Sequence, residues 1–347
     1  MRTKREIITT FLGEKFSSWL ACQVDVENDK TAICATTQNV TIELLPHYSK
    51  EAIINLRKIN DIAHINKFFE LVNEKLSVQG IFIGIVETIE HRHDVIFNKY
   101  FFPVNYIVLV VDFFFNRVLP KIKLTQDVYY YYTKGTNRAL SKAEVLGRLY
   151  SCGFVLKEGV FIDNHFVFCA IKEKVPLFDN HPTYGPFVAL RRVGKSKKEV
   201  LIYKMRTMYP YSEYIQKYVY DMQGTSNGDK AENDFRITRW GKFFRKFWLD
   251  ELPMFINLFK GDVKIVGVRP LSWAKFETYP KDLQDKRIRT KPGLIPPFYS
   301  DLPKTQEELF ESEDRYLDAY FKAPLRTDIR YFFKAINNIV FKRARSK

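Results

Sequence analysis

Apolar residues recur at two different spacings along this 347-residue chain. At Leu252, Phe255, Ile256 and Phe259 they fall at i, i+3, i+4 and i+7, the stripe of a helix. Gly261, just beyond, is a natural C-terminal stop. Asp328–Lys342 repeats the pattern, with Ile329, Phe332, Phe333, Ile336, Ile339 and Val340 on one face. Gly80–Thr88 is instead a short continuous apolar run bounded by glycine and charge, which predicts a buried strand. Two further strands are expected at Phe154–Ile162 and His165–Lys172, split by a hairpin turn at Asp163–Asn164. Leu140–Tyr150 reads as a helix stopped by Gly153. Glu51–Leu76 reads as a helix with Ile54, Ile62, Ile65, Phe68, Phe69 and Val72 on its apolar face, and residues 1–45 as short strands and turns.

Phe101–Pro120 is the most apolar stretch, yet it carries Asp112 and Arg117. A spanning helix needs about 20 predominantly apolar residues with few charges. The expectation is therefore an interfacial or re-entrant helix, or a helix buried in the core. Tyr129–Tyr132 would suit either a headgroup belt or core packing. Val175–His181 breaks periodicity with Pro176, Asp179, Asn180 and His181, and Pro182 follows. It divides the chain into an α/β accessory domain, 1–175, ending in a β-hairpin, and a helix-rich domain with a small sheet, 176–347. The fold class is α/β (α+β). The first domain vaguely resembles the C-terminal half of a class I methyltransferase fold. No glycine-rich nucleotide loop precedes Gly80, so a docking or scaffolding domain is expected instead.

Charge narrows the partners. Lys and Arg number 55 against 40 Asp and Glu, a formal net charge of +15, which implies an anionic partner. Aromatic residues make up 16%, interleaved with the bases, as suits a membrane interface or stacking on single-stranded nucleic acid. No nucleic-acid-binding fold signature appears, so nucleic acid is not expected as a partner. Cys22, Cys34, Cys152 and Cys169 lack C-x-x-C spacing and read as buried, reduced thiols. The reduced thiols point to a cytosolic compartment, and charged Met1–Glu14 shows no signal-peptide pattern.

Chemistry concentrates between Arg236 and Pro270. A basic and aromatic segment, Lys242–Trp248, runs into Asp250–Glu251, with Pro253 opening the next helix. Asp is a favoured N-cap, and a helix N-terminus favours negative charge. Arg236, Arg239, Arg245 and Arg269 are candidate cations nearby. By itself, Asp-Glu-Leu-Pro at a helix start is ordinary capping chemistry.

The wider pattern points further. Arg236-Ile-Thr-Arg239-x-Gly241, Leu249-Asp250-Glu251-Leu252-Pro253, Ile256-Asn257, Lys260-Gly261-Asp262 and Val266-Gly267-Val268-Arg269-Pro270 stand in order. Tyr184-Gly-Pro-Phe187, Arg192-Val-Gly194 and Tyr203-Lys204-Met-Arg206-Thr-Met208 precede them, and Lys291-Pro292-Gly293 follows. This half resembles the bacterial sugar transferase family, the monotopic phosphoglycosyl transferases that begin glycan assembly on polyprenyl phosphate.

The resemblance implies Asp250 as a nucleophile that takes a phosphosugar from a UDP-sugar and passes it to polyprenyl phosphate. It implies Glu251 as a Mg²⁺ ligand and Arg269 as a diphosphate contact. Lys204, Arg206, Arg236, Arg239 and Lys291 become candidate phosphate or nucleotide contacts. It further implies an anionic membrane surface as partner, at the cytoplasmic face of the bacterial inner membrane, and leaves a homodimer open. Three departures stand out. Hairpin and linker occupy the place of the family's re-entrant helix, Val268 replaces a proline, and Leu294–Tyr299 replaces the usual run after Gly293. They motivate an alternative, a non-catalytic membrane-surface scaffold derived from such an enzyme.

Overall fold

A computed structural model of the chain describes residues 3–178, 185–223 and 234–341. Tyr184, the linker positions Asp179–Pro182 and the basic tail Lys342, Arg343, Arg345 and Lys347 lie outside the described residues. The structure is 53% helix and 20% strand, a mixed composition of both element types. It divides into two compact units, Met1–Tyr184 with Tyr209–Arg236, and Gly185–Met208 with Ile237–Lys347.

The first unit is built on a five-stranded sheet. Its strands are β1 (Thr31–Cys34), β2 (Lys50–Lys58), β3 (Leu76–Val86), β4 (Phe154–Ile162) and β5 (His165–Lys172), in the order β1-β2-β3-β5-β4. Strands β1, β2 and β3 are parallel; β5 lies antiparallel to both β3 and β4. Successive side chains point to opposite faces, so each strand feeds two cores. Ile53, Phe82 and Phe168 pack with Phe68, Phe69 and Val72 of the Ile65–Lys75 helix and Leu146 and Leu149 of the Lys142–Ser151 helix. Ile54, Ile83 and Val167 pack with Ile8, Phe16 and Leu20 of the Lys4–Ala21 helix.

The hairpin lies where expected, with Asp163 and Asn164 both in left-handed conformation at φ 40° and 72°. Two expectations fail. Residues 4–21 form a helix, opened by a capping box between Thr3 and Glu6. Its apolar period is interrupted at Gly13, φ 83°, which hides it from a pattern search. The Glu51–Leu76 helix is really β2, then Ile65–Lys75. Ala52–Leu56 is a run of buried residues, read as helical because a strand covered on both faces loses its alternation. Among the cysteines, Cys22 is exposed and the other three are buried.

Phe101–Pro120 does not enter the core. Its helix, Val104–Phe113, leaves Tyr106, Ile107, Val110 and Val111 exposed, and Phe114 and Phe115 follow suit. Both charges turn inward. Asp112 takes a two-pronged bond from Arg92 at 2.5 and 2.7 Å, and Arg117 pairs with buried Glu144 at 2.6 Å. Tyr131 and Tyr132 are exposed, whereas Tyr129 is buried.

In the second unit, β6 (Phe187–Val193) and β7 (Glu199–Met205) form an antiparallel hairpin. Two short parallel strands, β8 (Lys264–Val266) and β9 (Gly293–Ile295), make a separate ladder. Their backbones approach so closely that a Cβ on Gly293 would overlap the Gly267 backbone nitrogen. Val193, Val266, Val268 and Phe276 join Tyr316, Leu317 and Tyr331 in the core, the last three from the Gln306–Lys322 and Pro324–Phe341 helices. On the Pro324–Phe341 helix the buried stripe is Thr327, Tyr331, Ala335 and Asn338. Leu325, Ile329, Phe333 and Val340 face outward instead, each 58% exposed or more.

Candidate active site

The Arg239–Lys246 helix begins after Thr238, whose hydroxyl oxygen accepts the Gly241 amide at 2.8 Å. Gly241 is dictated by proximity, since a Cβ there would strike the Thr207 carbonyl oxygen. The chain leaves this helix through Trp248, held in left-handed conformation at φ 54°. A single 3-10 turn, Leu249–Glu251, then carries both carboxylates. Met254–Lys260 is the following helix, closed by Gly261 at φ 75°. The acidic pair therefore precedes that helix by one turn, and Asp250 does not cap it. Pro253 is the cap residue and makes no side-chain bond. The expectation of an Asp N-cap yields to the 3-10 turn that Trp248 initiates.

Asn257 fixes this turn to β7. Fully buried, it accepts the Tyr203 amide at 2.9 Å and donates to Leu201 O at 2.6 Å and Asp262 Oδ2 at 3.0 Å. That clamp brings Lys204 of β7 onto the pair, with Nζ 2.6 Å from Glu251 Oε1. Arg245 reaches from the preceding helix and donates Nε to Thr207 Oγ1 at 2.9 Å. Burial, then the adjacent Glu251, pushes the Asp250 carboxyl above its ordinary value, while Lys204 and Arg245 pull it back. A half-buried carboxylate flanked by one acid and two bases has the chemistry to attack an electrophilic phosphorus.

Other residues singled out from the sequence are placed as follows. Arg206 holds the start of β6, donating Nε to Gly185 O at 2.9 Å. Arg239 is exposed on the first turn of its helix, and Lys291 is exposed ahead of β9. Arg236 belongs to the first unit, where its buried guanidinium binds Asp234 and Gln216. Arg269 is half-buried, and its carbonyl accepts Arg287 Nη2 at 2.5 Å. Burial, then the charge of Arg269, pushes the Arg192 guanidinium down. Arg192 sits in a motif that carries the resemblance but was not assigned a role. Tyr299 lies instead in the run that departs from the family's pattern. Its hydroxyl accepts Trp248 Nε1 at 2.9 Å, tying the departing Leu294–Tyr299 loop to the residue that starts the acidic turn.

A divalent cation fits this donor set. Glu251 repels Asp250, and a cation between two carboxylates relieves such repulsion. Mg²⁺ is commonly held by one or two carboxylates plus substrate phosphates. Among the described residues no cluster of three or more His, Cys, Asp or Glu could hold a metal unaided.

A family model described as bacterial sugar transferase matches residues 167–342. The chain belongs to the bacterial sugar transferase family. Within the family it is 40% identical over 112 residues to the galactosyl transferase CpsE of Streptococcus agalactiae, covering 32% of this chain and 25% of that protein. It is 37% identical over 109 residues to an undecaprenyl-phosphate galactose phosphotransferase of Salmonella typhimurium, covering 30% and 23%. A UDP-glucose:undecaprenyl-phosphate glucose-1-phosphate transferase of Xanthomonas campestris is 36% identical over 113 residues, covering 32% and 22%. The match thus spans about a quarter of the length of these bacterial sugar transferases.

Proposed function

We propose that this bacterial sugar transferase moves a sugar-1-phosphate from a UDP-sugar to polyprenyl phosphate in two displacements at Asp250. In the first, an Asp250 carboxylate oxygen attacks the β-phosphorus. The bond to the bridging oxygen breaks, UMP leaves, and an aspartyl-phosphosugar remains. In the second, a phosphate oxygen of the polyprenyl carrier attacks the same phosphorus. The acyl phosphate bond breaks, Asp250 is restored as a carboxylate, and polyprenyl diphosphate sugar forms. Glu251, with Asp250, would hold Mg²⁺, which supplies charge neutralisation to the diphosphate when bound. Lys204 and Arg245 favour the ionised form of Asp250 against burial and Glu251, and Arg192 with Arg269 offers a second cationic contact for the diphosphate.

The observation that carries this reading is the half-buried Asp250 flanked by Glu251, Lys204 and Arg245. Support for a lipid acceptor comes from the surface around it. Phe255, Ile256 and Phe259 of the following helix are exposed, Phe259 at 88%. Trp240, Phe243 and Phe247 are exposed on the preceding one, among Lys242, Arg245 and Lys246. No helix among the described residues is long and apolar enough to cross a membrane. We therefore infer peripheral or monotopic docking on the anionic, cytoplasmic leaflet, with rings and bases together at the headgroup level.

The relatives' names carry galactose and glucose, so the test is a donor screen. The protein, polyprenyl phosphate and Mg²⁺ are incubated with radiolabelled UDP-sugars. Release of UMP and a labelled lipid product are expected with one of them, and both should vanish in Asp250→Asn. Turnover that survives Asp250→Asn would overturn the role given to this residue. A chain that stays silent with every donor, yet whose Asp250→Asn form supports glycan assembly in cells, would be a scaffold.

A further inference from the structure

A cavity of about 520 Å³ lies within the first unit, distant in sequence from the acidic turn. Part of its wall is Ala63–Lys67, the segment that enters the Ile65–Lys75 helix just beyond the carboxyl end of β2. Open α/β sheets bind their ligands outside the carboxyl ends of the strands. The volume falls in the range of small-molecule sites, roughly 300–1,000 Å³.

Its lining is strongly cationic. Lys67, Lys121, Arg138 and Arg148 face it, against one carboxylate, Glu144. That carboxylate is already shared. Arg117, Lys121 and Arg148 all approach it, at 2.6, 3.1 and 2.9 Å. One buried acid cannot neutralise so many bases. Arg138, 8% exposed, makes no ion pair among the described residues. Its guanidinium donates to the carbonyl of Ile62 and to Tyr130 Oη, both neutral, and its Nε is buried with no partner. A buried cation without an anion is costly, by several kcal/mol. Burial, with Arg117 and Arg148 outweighing Glu144, pushes Lys121 down to about 7. The cavity thus sheds a proton near neutrality, as an anion-deficient site does.

Beside these bases stands an aromatic wall. The rings of His64 and Tyr130 lie 5.9 Å apart, and both line the cavity. Guanidinium groups match phosphate oxygens in a two-pronged way that a lone ammonium does not. Rings beside them suit a planar base or a sugar face.

We infer that the first unit is a binding module for a phosphate-bearing small molecule of mononucleotide size. Its phosphate is held by Arg138, Arg148 and Lys121, and its ring by Tyr130 and His64. This site is separate from the acidic turn and does not depend on the reaction proposed there.

The test titrates the full chain, in detergent, with inorganic pyrophosphate and with the four ribonucleoside monophosphates. Calorimetry gives the affinities for the natural chain and Arg138→Met. The expected result is binding of at least one probe that weakens tenfold or more in Arg138→Met. If Arg138→Met does not fold, Lys121→Gln serves instead, since Glu144 keeps Arg117 and Arg148. Equal affinity in the folded cavity variant and the natural chain would overturn the inference. So would no heat from any probe at millimolar concentration.

Discussion

Lys204 Nζ and Glu251 Oε1 lie 2.6 Å apart, joining β7 to the turn that carries Asp250. Both side chains are mostly buried, 17% and 21% exposed, so the pair is little screened by solvent. A charge-assisted hydrogen bond of this kind contributes about 1.5–3 kcal/mol. Lys204→Met is expected to lower kcat/KM for UMP release by about 10- to 100-fold, with the fold intact. Lys204→Arg should recover part of that loss. Steady-state kinetics on the two variants, beside circular dichroism spectra, make the check.

Asn257 holds the same turn through three hydrogen bonds, one of them to the Asp262 carboxylate. Asn257→Ala strips three hydrogen bonds from a fully buried site and strands the Tyr203 amide. The expected cost is about 2–4 kcal/mol, read as a shift of the urea midpoint. Loss of activity should accompany it, because Lys204 is the next residue along β7.

Much of this was legible beforehand, for physical reasons that differ by element. The Phe154–Lys172 hairpin could be read because both its turn residues tolerate left-handed backbone between two strand-forming runs. The acidic pair could be read because Pro253 and Gly261 bracket a short helix. What could not be read was pairing across sequence. Nothing local to Arg236 announces that Gln216 occupies it, nor that Trp248 will find Tyr299. The Pro324–Phe341 helix shows the subtler failure. Its apolar stripe was visible, but periodicity does not say which stripe is buried. Here Thr327, Tyr331, Ala335 and Asn338 are buried, while Ile329, Phe333 and Val340 face out.

That outward stripe yields its own expectation. Ile329→Asp with Phe333→Asp places two charges where the natural side chains are 58% and 67% exposed. Stability should change by less than about 1 kcal/mol, as for other surface substitutions. Binding to vesicles containing anionic lipid should fall at least tenfold, measured by co-sedimentation, since each apolar side chain withdrawn from water contributes about 1.5–3 kcal/mol. Unchanged sedimentation would remove this helix from the docking surface.

Lys121 sets a pH dependence. Its folded value, about 7, lies below its ordinary 10.5. Between the two, the unfolded chain binds a proton that the folded chain does not. Stability from this group therefore rises with pH across that window and is lowest below about pH 7. Lys121→Met removes the slope. The melting temperature of the natural chain should gain on that of the variant between about pH 7 and about pH 9.

The chain passes between its two compact units three times, at 184/185, 208/209 and 236/237. Dissection by truncation is therefore harder than the linker suggests. A fragment beginning at Gly185 would carry Tyr209–Arg236 without its hosts. Tyr211 would lose the Arg148 guanidinium it lies 4.4 Å from, and the Gly147 backbone its own chain presses against. Separating the halves cleanly calls for replacing residues 209–236 with a short polar loop between Met208 and Ile237, which already pair as neighbours in a β-bridge.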